Sequence, residues 1–341
     1  MTTSRRDDLR IDRLAQEATE YVPVAREPHN PGIRLEREWI DAVRVNRSAV
    51  ERRVATLVKR RTVKKEWQAA WLLKAITTID LTTLAGDDTE GRVRRLCDKA
   101  RRPVRQDILE ALGVTDLPIQ VAGVCVYHRY IATALEALRG TTIPVVAVST
   151  GFPAGLSPFE TRVAEIAESV AAGAGEIDIV ITRAHVLRQD WGALYDEVRT
   201  FRDAAGSTHL KTILATGDLG PLRNVAKASL VCMMAGADFI KTSTGKEPVN
   251  AVLPVGLVMT RAIRQYRERT GHVVGFKPAG GIRTAKDALQ WLVLMKEELG
   301  NTWLDPRLFR MGASSLLADI ERQLEHHVTG RYSANYRHPM G

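Results

Sequence analysis

Residues 236–246 read Gly-Ala-Asp-Phe-Ile-Lys-Thr-Ser-Thr-Gly-Lys, and residues 273–281 read Val-Val-Gly-Phe-Lys-Pro-Ala-Gly-Gly. In each stretch a short apolar strand ends at a lysine, Lys241 in the first and Lys277 in the second. A lone lysine at a strand end usually extends its amine into solvent. Two lysines in the same position on successive strands indicate instead a chemical function for the amines, since an unpaired buried ammonium is costly.

These two stretches belong to a series of eight apolar segments that alternate with helical ones. The apolar runs are continuous, as expected of strands covered by protein on both faces. Eight βα units predict a closed (β/α)8 TIM barrel. An open doubly wound sheet is the alternative, although no Gly-x-Gly-x-x-Gly follows the first strand. The predicted strands are 76–81, 121–127, 145–149, 177–181, 210–215, 238–242, 273–277 and 308–312.

The first part of the chain differs from the barrel pattern. Residues 1–33 are polar and contain several prolines, which predicts a loosely ordered arm. Apolar residues recur at helical spacing over 35–63, and the opposite face is rich in arginine and lysine. We therefore divide the chain into an N-terminal arm and helical extension, residues 1–66, and a barrel with a C-terminal tail, residues 67–341. A second helix is predicted to begin near Lys65.

Two helix starts within the barrel carry capping signals. Ser157 and Glu160 have the spacing of a capping box with Pro158 in the first turn, and Gly173 is placed to end that helix. Thr284 is predicted to cap the helix after the seventh strand.

The composition is that of a globular protein, with 45% hydrophobic and 26% charged residues among 341. No apolar run approaches the ~20 residues that a membrane span needs. The first residues lack the apolar core of a secretory signal. Three separated cysteines, Cys97, Cys125 and Cys232, are typical of reduced, buried thiols. We expect a cytoplasmic protein with no membrane partner.

The net charge of +9 raises the possibility of an acidic partner. Residues 1–70 hold 16 Lys or Arg and 11 Asp or Glu, so more than half of this charge lies there. Basic residues do not alternate with aromatic ones as a base-stacking surface requires. A solvated face or a contact with a second subunit is therefore favoured over a nucleic-acid-binding surface, and a homo-oligomer is expected.

In a (β/α)8 barrel, reactive side chains gather at the carboxyl ends of the strands. Asp80, Asp178, Lys241 and Lys277 occupy such positions. Lysines on strands ~4.8 Å apart repel by about 3 kcal/mol at an effective dielectric near 20, enough to lower the pKa of one lysine by ~2. A neutral lysine can attack a carbonyl carbon, and Asp178 could transfer protons. Alternatively, each lysine pairs with a carboxylate, either Asp178 or Asp80.

Glycine-rich turns follow the last two strands. Gly280 and Gly281 follow the seventh strand, and Gly312 precedes two serines at the end of the eighth. Glycines let backbone N–H groups approach phosphate oxygens, and the loops after strands seven and eight form the usual phosphate site of this fold. Lys246 could add positive charge. The sequence therefore predicts a phosphorylated substrate.

Five segments, 80–84, 175–180, 236–246, 275–283 and 310–317, together resemble the deoxyribose-phosphate aldolase family. The resemblance runs from about residue 61 to 330. Segments 61–67 and 326–332 resemble the longer, animal form of the family. It implies a class I aldolase without metal or cofactor that cleaves 2-deoxy-D-ribose 5-phosphate reversibly into D-glyceraldehyde 3-phosphate and acetaldehyde. Its partners would be small phosphosugars and aldehydes, with no nucleic acid.

The resemblance also implies residue roles. Lys241 would form the Schiff base, Lys277 would keep it nucleophilic, and Asp178 would transfer protons through a water. Some members end in a tyrosine that assists proton transfer, and either Tyr332, Tyr336 or neither could take that role here. The implied substrate-binding residues are Asp80, Thr82, Thr244, Gly245, Lys246, Gly280, Gly281, Arg283, Gly312, Ser314 and Ser315.

Three other functions were weighed. A metal-dependent aldolase needs clustered ligands, whereas the eight histidines are scattered. Another Schiff-base enzyme, such as a transaldolase, would share the two lysines. A nucleic-acid-binding protein would use the basic residues of 34–65 and would be sensitive to salt.

Overall fold

The eight predicted strands all form in the computed structural model, which describes residues 29–60 and 63–338. The central strands are buried along their whole length, as their continuous apolar runs predicted. The strands are β1 (Ile79–Thr82), β2 (Gly123–Tyr127), β3 (Val145–Ser149), β4 (Glu176–Val180), β5 (His209–Ile213), β6 (Phe239–Lys241), β7 (Gly275–Lys277) and β8 (Met311–Ala313).

The strands form one parallel sheet in the order β7-β6-β5-β4-β3-β2-β1-β8. Because β8 pairs with β1, the first and last strands are neighbours, which excludes the open doubly wound alternative. Isolated bridges between Phe276 and Phe309 and between Ala279 and Gly312 connect β7 to β8. The sheet thus closes into the predicted (β/α)8 barrel.

Helices connect successive strands and cover the outside of the barrel. Thr284 caps its helix, as predicted, and its side chain and that of Asp287 form a capping box. The helices are α1 (Arg37–Ala42), α2 (Arg47–Arg60), α3 (Lys65–Ile76), α4 (Glu90–Arg101), α5 (Gln106–Leu112), α6 (Ile131–Ala137), α7 (Phe159–Ala171), α8 (Arg183–Leu187), α9 (Trp191–Ala205), α10 (Leu222–Met234), α11 (Leu253–Thr270), α12 (Ala285–Leu299) and α13 (Leu316–Thr329).

The capping box predicted at Ser157 and Glu160 is wrong. Helix α7 begins at Phe159, and Pro158 occupies the N-cap position with no side-chain cap. Pro158 has a ψ of 141°, so the backbone is still extended there and Ser157 lies one residue too early to cap the helix.

The helical extension consists of two helices instead of the one predicted over 35–63. Val43, with a ψ of 125°, ends α1, and α2 begins four residues later. This break lets both buried apolar positions, Ile40 and Val50, face the barrel. Helix α1 contacts α10, and α2 contacts α11 and α12. Most of the predicted loose arm, residues 1–28, lies outside the described residues, and no described helix is long and apolar enough to cross a membrane.

The segment before α1 is held against the amino-terminal end of β6. Asn30 is buried, its backbone N–H donates to Asp238 at 2.9 Å, and its side-chain amide donates to the carbonyls of Met233 and Ala237. Tyr266 donates to the Asn30 amide oxygen at 3.1 Å. These bonds fix the start of the extension on the face of the barrel opposite the strand carboxyl ends.

Candidate active site

Lys241, Lys277 and Asp178 meet inside the barrel. The two lysines are register partners on β6 and β7. Asp178 on β4 accepts a hydrogen bond on the same oxygen, Oδ2, from Lys241 Nζ at 2.6 Å and from Lys277 Nζ at 2.7 Å. Asp178 is fully buried, and its side chain lies in the interior of the barrel.

A third lysine and an arginine, which the sequence analysis did not identify, extend this cluster. Lys211 on β5 donates to Asp178 Oδ1 at 3.3 Å and also pairs with Glu176. Arg310 bridges Glu176, at 2.7 Å, and Asp80. Lys211 interrupts an apolar strand, as Lys241 and Lys277 do, but it lies in the middle of β5 rather than at its end.

Asp80 belongs to this ion network. Its carboxylate pairs with both Lys277 and Arg310 and is fully buried. Asp80 therefore contributes negative charge to the interior of the barrel beside Lys277.

The charges of the network are asymmetric. Four basic side chains face three carboxylates, and burial makes an unbalanced charge costly. The balance is neutral when one base is uncharged. Lys241 is the lysine with measurable exposure, 3%, while the other two are fully buried. The network is made of Lys211, Lys241, Lys277, Arg310, Asp80, Glu176 and Asp178.

The pKa shifts identify Lys241 as that base. Burial lowers the pKa of Lys241; the Asp178 carboxylate opposes this shift, and the Lys277 ammonium adds to it. Burial would also lower the pKa of Lys277, but Asp178 and Asp80 outweigh it and raise that pKa above its ordinary value. Burial opposes ionisation of Asp178, yet the three lysines hold its pKa well below the usual range. Lys277 is therefore the protonated partner, and Asp178 is the anion between the two amines.

The predicted repulsion between the lysines contributes to the lowered pKa of Lys241. Burial is the larger cause, because Asp178 lies between the two amines and compensates much of their repulsion.

The glycine turns converge beside this network. Ala279 bridges to Gly312, and Gly280 N–H lies 3.5 Å from the Gly312 carbonyl oxygen. Gly280 has a φ of +81°, and an added Cβ would lie 2.8 Å from Asn250, so only glycine fits this turn. Gly245 approaches Gly280 closely enough that an added Cβ would touch the Gly280 Cα. The turns after β6, β7 and β8 thus lie together.

Several predicted phosphate-binding groups at this mouth are exposed. Gly245 and Gly281, the side chains of Lys246 and Arg283, and two serines are open to solvent. The serines, Ser314 and Ser315, immediately precede α13, whose N-terminus favours an anion. Exposed cationic and N–H groups at one mouth can bind a phosphate group.

Thr244 and Thr82 are engaged within the protein. Thr244 Oγ1 donates to Glu247 at 2.7 Å, and Glu247 also accepts the N–H groups of Thr244 and Gly245. Thr82 Oγ1 donates to the Asp80 carbonyl. The buried Glu247, which the sequence analysis did not identify, therefore fixes the turn that follows Lys241.

Arg183 connects the turn held by Glu247 with three other loops, so that four loops are linked. It pairs with Glu247 after β6 at 3.3 Å and with Asp218 after β5 at 2.9 Å. It also donates to the Ala154 carbonyl after β3 at 2.6 Å. Because Arg183 itself begins the helix after β4, the loops of strands β3 to β6 are linked through one side chain.

The two tyrosines of the tail are both exposed. Tyr332 is 76% exposed and stacks on His326 of α13, and Tyr336 is 84% exposed. Neither contacts the lysines, so neither is brought into the site. Within residues 29–60 and 63–338, no group of three or more His, Cys, Asp or Glu is arranged to hold a metal ion.

Comparisons with known proteins agree with this geometry. Residues 74–322 match the DeoC/LacD family aldolases. The chain is 60% identical over 314 residues to the deoxyribose-phosphate aldolase of Homo sapiens and 61% identical to that of Mus musculus, covering 92% of this chain and 99% of each relative.

Solved structures share the fold at lower identity. A putative deoxyribose-phosphate aldolase from Toxoplasma gondii has a TM-score of 0.65 at 21% identity, covering 76% of this chain and 98% of that one. The deoxyribose phosphate aldolase from Aeropyrum pernix, described as tetrameric, has a TM-score of 0.58 at 19% identity, covering 82% and 99%. The chain belongs to the DeoC/LacD family of aldolases.

Proposed function

We propose that this protein is a deoxyribose-phosphate aldolase, a class I enzyme that cleaves 2-deoxy-D-ribose 5-phosphate reversibly into D-glyceraldehyde 3-phosphate and acetaldehyde. One observation carries the proposal. Lys241 and Lys277 share a single oxygen of Asp178 at 2.6 and 2.7 Å, in a chain 60% identical to a deoxyribose-phosphate aldolase over almost its full length.

Lys241 is the proposed nucleophile. Its amine, whose pKa burial lowers, attacks the aldehyde carbon C1 of the open-chain sugar in its neutral form. The C–N bond forms, the carbonyl oxygen leaves as water, and an iminium remains. The iminium replaces the missing positive charge of the network, so the buried cluster holds four cations and three anions only once the substrate is bound.

Cleavage then proceeds through the iminium. The electrons of the C2–C3 bond move toward the nitrogen as the 3-hydroxyl loses its proton, which releases glyceraldehyde 3-phosphate and leaves an enamine. The enamine takes a proton at C2, and water hydrolyses the new iminium to acetaldehyde and free Lys241. Asp178 and Lys277 supply the proton exchange, since one is an ionised carboxylate and the other a protonated amine in direct contact.

The phosphate is proposed to bind at the joined turns after β6, β7 and β8. Exposed N–H groups, the start of α13 and the cations Lys246 and Arg283 support this assignment. Thr82 and Asp80, joined by a hydrogen bond from the Thr82 hydroxyl to the Asp80 carbonyl, are proposed to support this site from inside the barrel. Thr244 holds the turn after β6 through its hydrogen bond to Glu247. The 5-phosphate would thereby fix the sugar with C1 toward Lys241.

A coupled assay for glyceraldehyde 3-phosphate tests the proposal. Wild type should release it from 2-deoxyribose 5-phosphate, and Lys241→Ala should not. A transaldolase would instead transfer a three-carbon unit from fructose 6-phosphate to an aldose phosphate acceptor. Turnover of fructose 6-phosphate with an acceptor, and none of deoxyribose 5-phosphate, would overturn the proposed substrate.

We propose further that the protein is a cytoplasmic homo-oligomer that binds neither nucleic acid nor membranes, and that residues 1–66 form an appendage to the barrel. A tetrameric solved relative supports the oligomer, as do the exposed apolar side chains Leu156 and Leu187. The three free, buried cysteines suit a reducing compartment. Light scattering of the purified chain would return a monomer mass if the oligomer is wrong.

A further inference from the structure

A second cavity of about 600 Å³ lies between the helical extension and the loops after β5 and β6. It shares no residue with the lysine network or with the proposed phosphate-binding residues, although Val249 and Asn250 of its wall belong to the turn after β6. The extension contributes the turn between α1 and α2, and the barrel contributes the starts of α10 and α11. The lining residues used below are Arg44, Arg47, Glu51, Thr216 and Arg223.

The cavity is lined by positive charge. Arg44, Arg47 and Arg223 face a single acidic residue, Glu51, which pairs with Arg47 at 2.8 Å. Arg44 donates only to backbone carbonyls, and Arg223 has no ion pair among the residues the structure describes. The arginines therefore leave an excess of positive charge at this position, which favours an anionic ligand.

Two helix N-termini add to this field. Helix α10 begins at Leu222 and α11 at Leu253, directly at the cavity wall, and neither has a side-chain cap. Uncapped first-turn N–H groups and the helix dipole both favour an anion. Helices of 13 and 18 residues provide full dipoles.

One buried side chain of the lining has an unused hydrogen-bonding group. Thr216 lines the cavity and is only 3% exposed, yet its hydroxyl has no hydrogen-bond partner among the described residues. Leaving a buried hydroxyl unpaired is unfavourable. The Thr216 hydroxyl and the arginines together form a donor set suited to a phosphate ester.

The rest of the wall is apolar. Val45, Leu222, Val249 and Val252 lie between the polar groups. The volume exceeds what an inorganic anion fills and lies in the range of small-molecule sites. An added Cβ at Gly217 would lie 2.2 Å from the Val249 carbonyl oxygen, so the two loops close the floor tightly.

We infer that this cavity is a binding site for a phosphate monoester of nucleotide or sugar phosphate size, distinct from the aldolase site. The phosphate group of this ligand lies among the three arginines and the two helix starts, and its nucleoside or sugar part lies on the apolar wall. The concave shape and the absence of aromatic residues from the lining favour a small molecule over a nucleic-acid strand. The site also gives the basic turn of the extension a function.

Isothermal titration calorimetry with adenosine 5′-monophosphate and glucose 6-phosphate tests this inference, with adenosine and inorganic phosphate as controls. At least one ester should bind saturably, and more tightly than either control. The ester that binds more tightly shows whether the cavity prefers a nucleoside or a sugar attached to the phosphate. Arg44→Ala/Arg47→Ala and Arg223→Ala should each weaken it about tenfold, the loss expected for a charge-assisted contact worth about 1.4 kcal/mol. These arginines are exposed, so the variants should fold normally.

Matched variants separate this cavity from other sites. Arg52→Ala removes a charge from the same helix outside the cavity and should leave binding unchanged, as should Arg283→Ala at the proposed substrate phosphate site. Thr216→Val should weaken binding and Thr216→Ser should restore it. Loss of ester binding only in Arg283→Ala, no saturable binding, or equal binding in all arginine variants would overturn the inference. Arginine-dependent binding of a single-stranded oligonucleotide in preference to both esters would also overturn it.

Discussion

A single carboxylate oxygen separates the roles of two otherwise similar lysines. Asp178 Oδ2 contacts both amines, but Lys277 also pairs with Asp80, whereas Lys241 pairs with no second carboxylate within residues 29–60 and 63–338. The pKa of Lys277 is therefore raised and that of Lys241 lowered. Position relative to the carboxylates, rather than residue type, thus suits one lysine to the proposed role of nucleophile and the other to that of proton donor.

Replacing Lys277 by leucine should shift the pH dependence of activity. Without Lys277, Asp178 pairs more fully with Lys241 and no ammonium opposes protonation, so the pKa of Lys241 should rise. Because only neutral Lys241 reacts, the acid limb of kcat/KM should move to higher pH, and turnover near neutral pH should fall about tenfold for each pH unit of that movement. A pH profile of deoxyribose 5-phosphate cleavage measures this.

Lys277→Arg is the matched variant, since it keeps the positive charge. Its acid limb should stay near that of wild type even if kcat falls through altered proton transfer. An unchanged acid limb in folded Lys277→Leu would contradict the contribution of the Lys277 ammonium to the lowered pKa of Lys241.

The residues at strand ends were predictable, and the others were not. Lys241 and Lys277 stand where apolar strands stop, and Asp178 interrupts one, so pattern alone identified them. Lys211 and Arg310 were missed because their roles depend on neighbours across the barrel, which no single strand reveals. The polar interruption at Lys211 is the signal that could have identified it.

At the scale of elements, the turn from 242 to 250 connects the proposed nucleophile, Lys241, to the proposed phosphate site. Glu247 binds the N–H groups of Thr244 and Gly245 and is itself held by Arg183. Asn250 packs against Gly280 of the next turn. This turn is therefore held in one conformation before substrate arrives, which lowers the cost of binding.

Glu247→Gln should loosen this turn. The amide keeps one oxygen for two backbone N–H donors and loses the charge that pairs with Arg183. We expect kcat/KM for deoxyribose 5-phosphate to fall about tenfold, mainly through KM, which corresponds to about 1.4 kcal/mol. Steady-state kinetics on this substrate and on unphosphorylated deoxyribose measure the change in kcat/KM for each.

The unphosphorylated sugar should be affected little, because it makes no phosphate contact. Glu268→Gln, an exposed change on α11, is the control and should behave as wild type. Equal losses of kcat/KM on both substrates would show that Glu247 acts in the chemical steps and not by holding the proposed phosphate-binding turn.

Across the whole molecule, the ion network fills the interior of the barrel and joins strands that are far apart in sequence. Arg310 links Glu176 on β4 to Asp80 on β1. Asp80 and Glu176 both have pKa values below their ordinary range. Burial alone would raise the pKa of Glu176, but the Arg310 guanidinium is the main cause that lowers it. Such groups stabilise the fold above their unfolded pKa of about 4, and this is lost as pH falls through the folded pKa.

Arg310→Met should therefore destabilise the barrel by about 3–5 kcal/mol at neutral pH, since two buried carboxylates lose a partner. Their folded pKa values should rise, so acid unfolding should begin at a higher pH than in wild type. Thermal and acid unfolding followed by circular dichroism measure both effects. Arg310→Lys should recover part of the stability, and a variant as acid-resistant as wild type would show that the network does not stabilise the fold.

The barrel itself could be predicted because its strands are buried on both faces and therefore read as continuous apolar runs. The break in the helical extension could not, because residues 43–46 carry no glycine or proline and the bend comes from packing Ile40 and Val50 on the barrel. The second cavity likewise arises from the docking of that extension on the loops, which sequence periodicity does not describe.

Reduction with borohydride in the presence of acetaldehyde tests the central claim most directly, because it makes the Schiff base permanent. Peptide mass analysis should find an ethyl group on Lys241, with none on Lys211 or Lys277, and Lys241→Ala should take up none. An ethyl group on Lys277 or Lys211 in the wild type, or none anywhere, would contradict the assignment of Lys241 as the uncharged amine of the network.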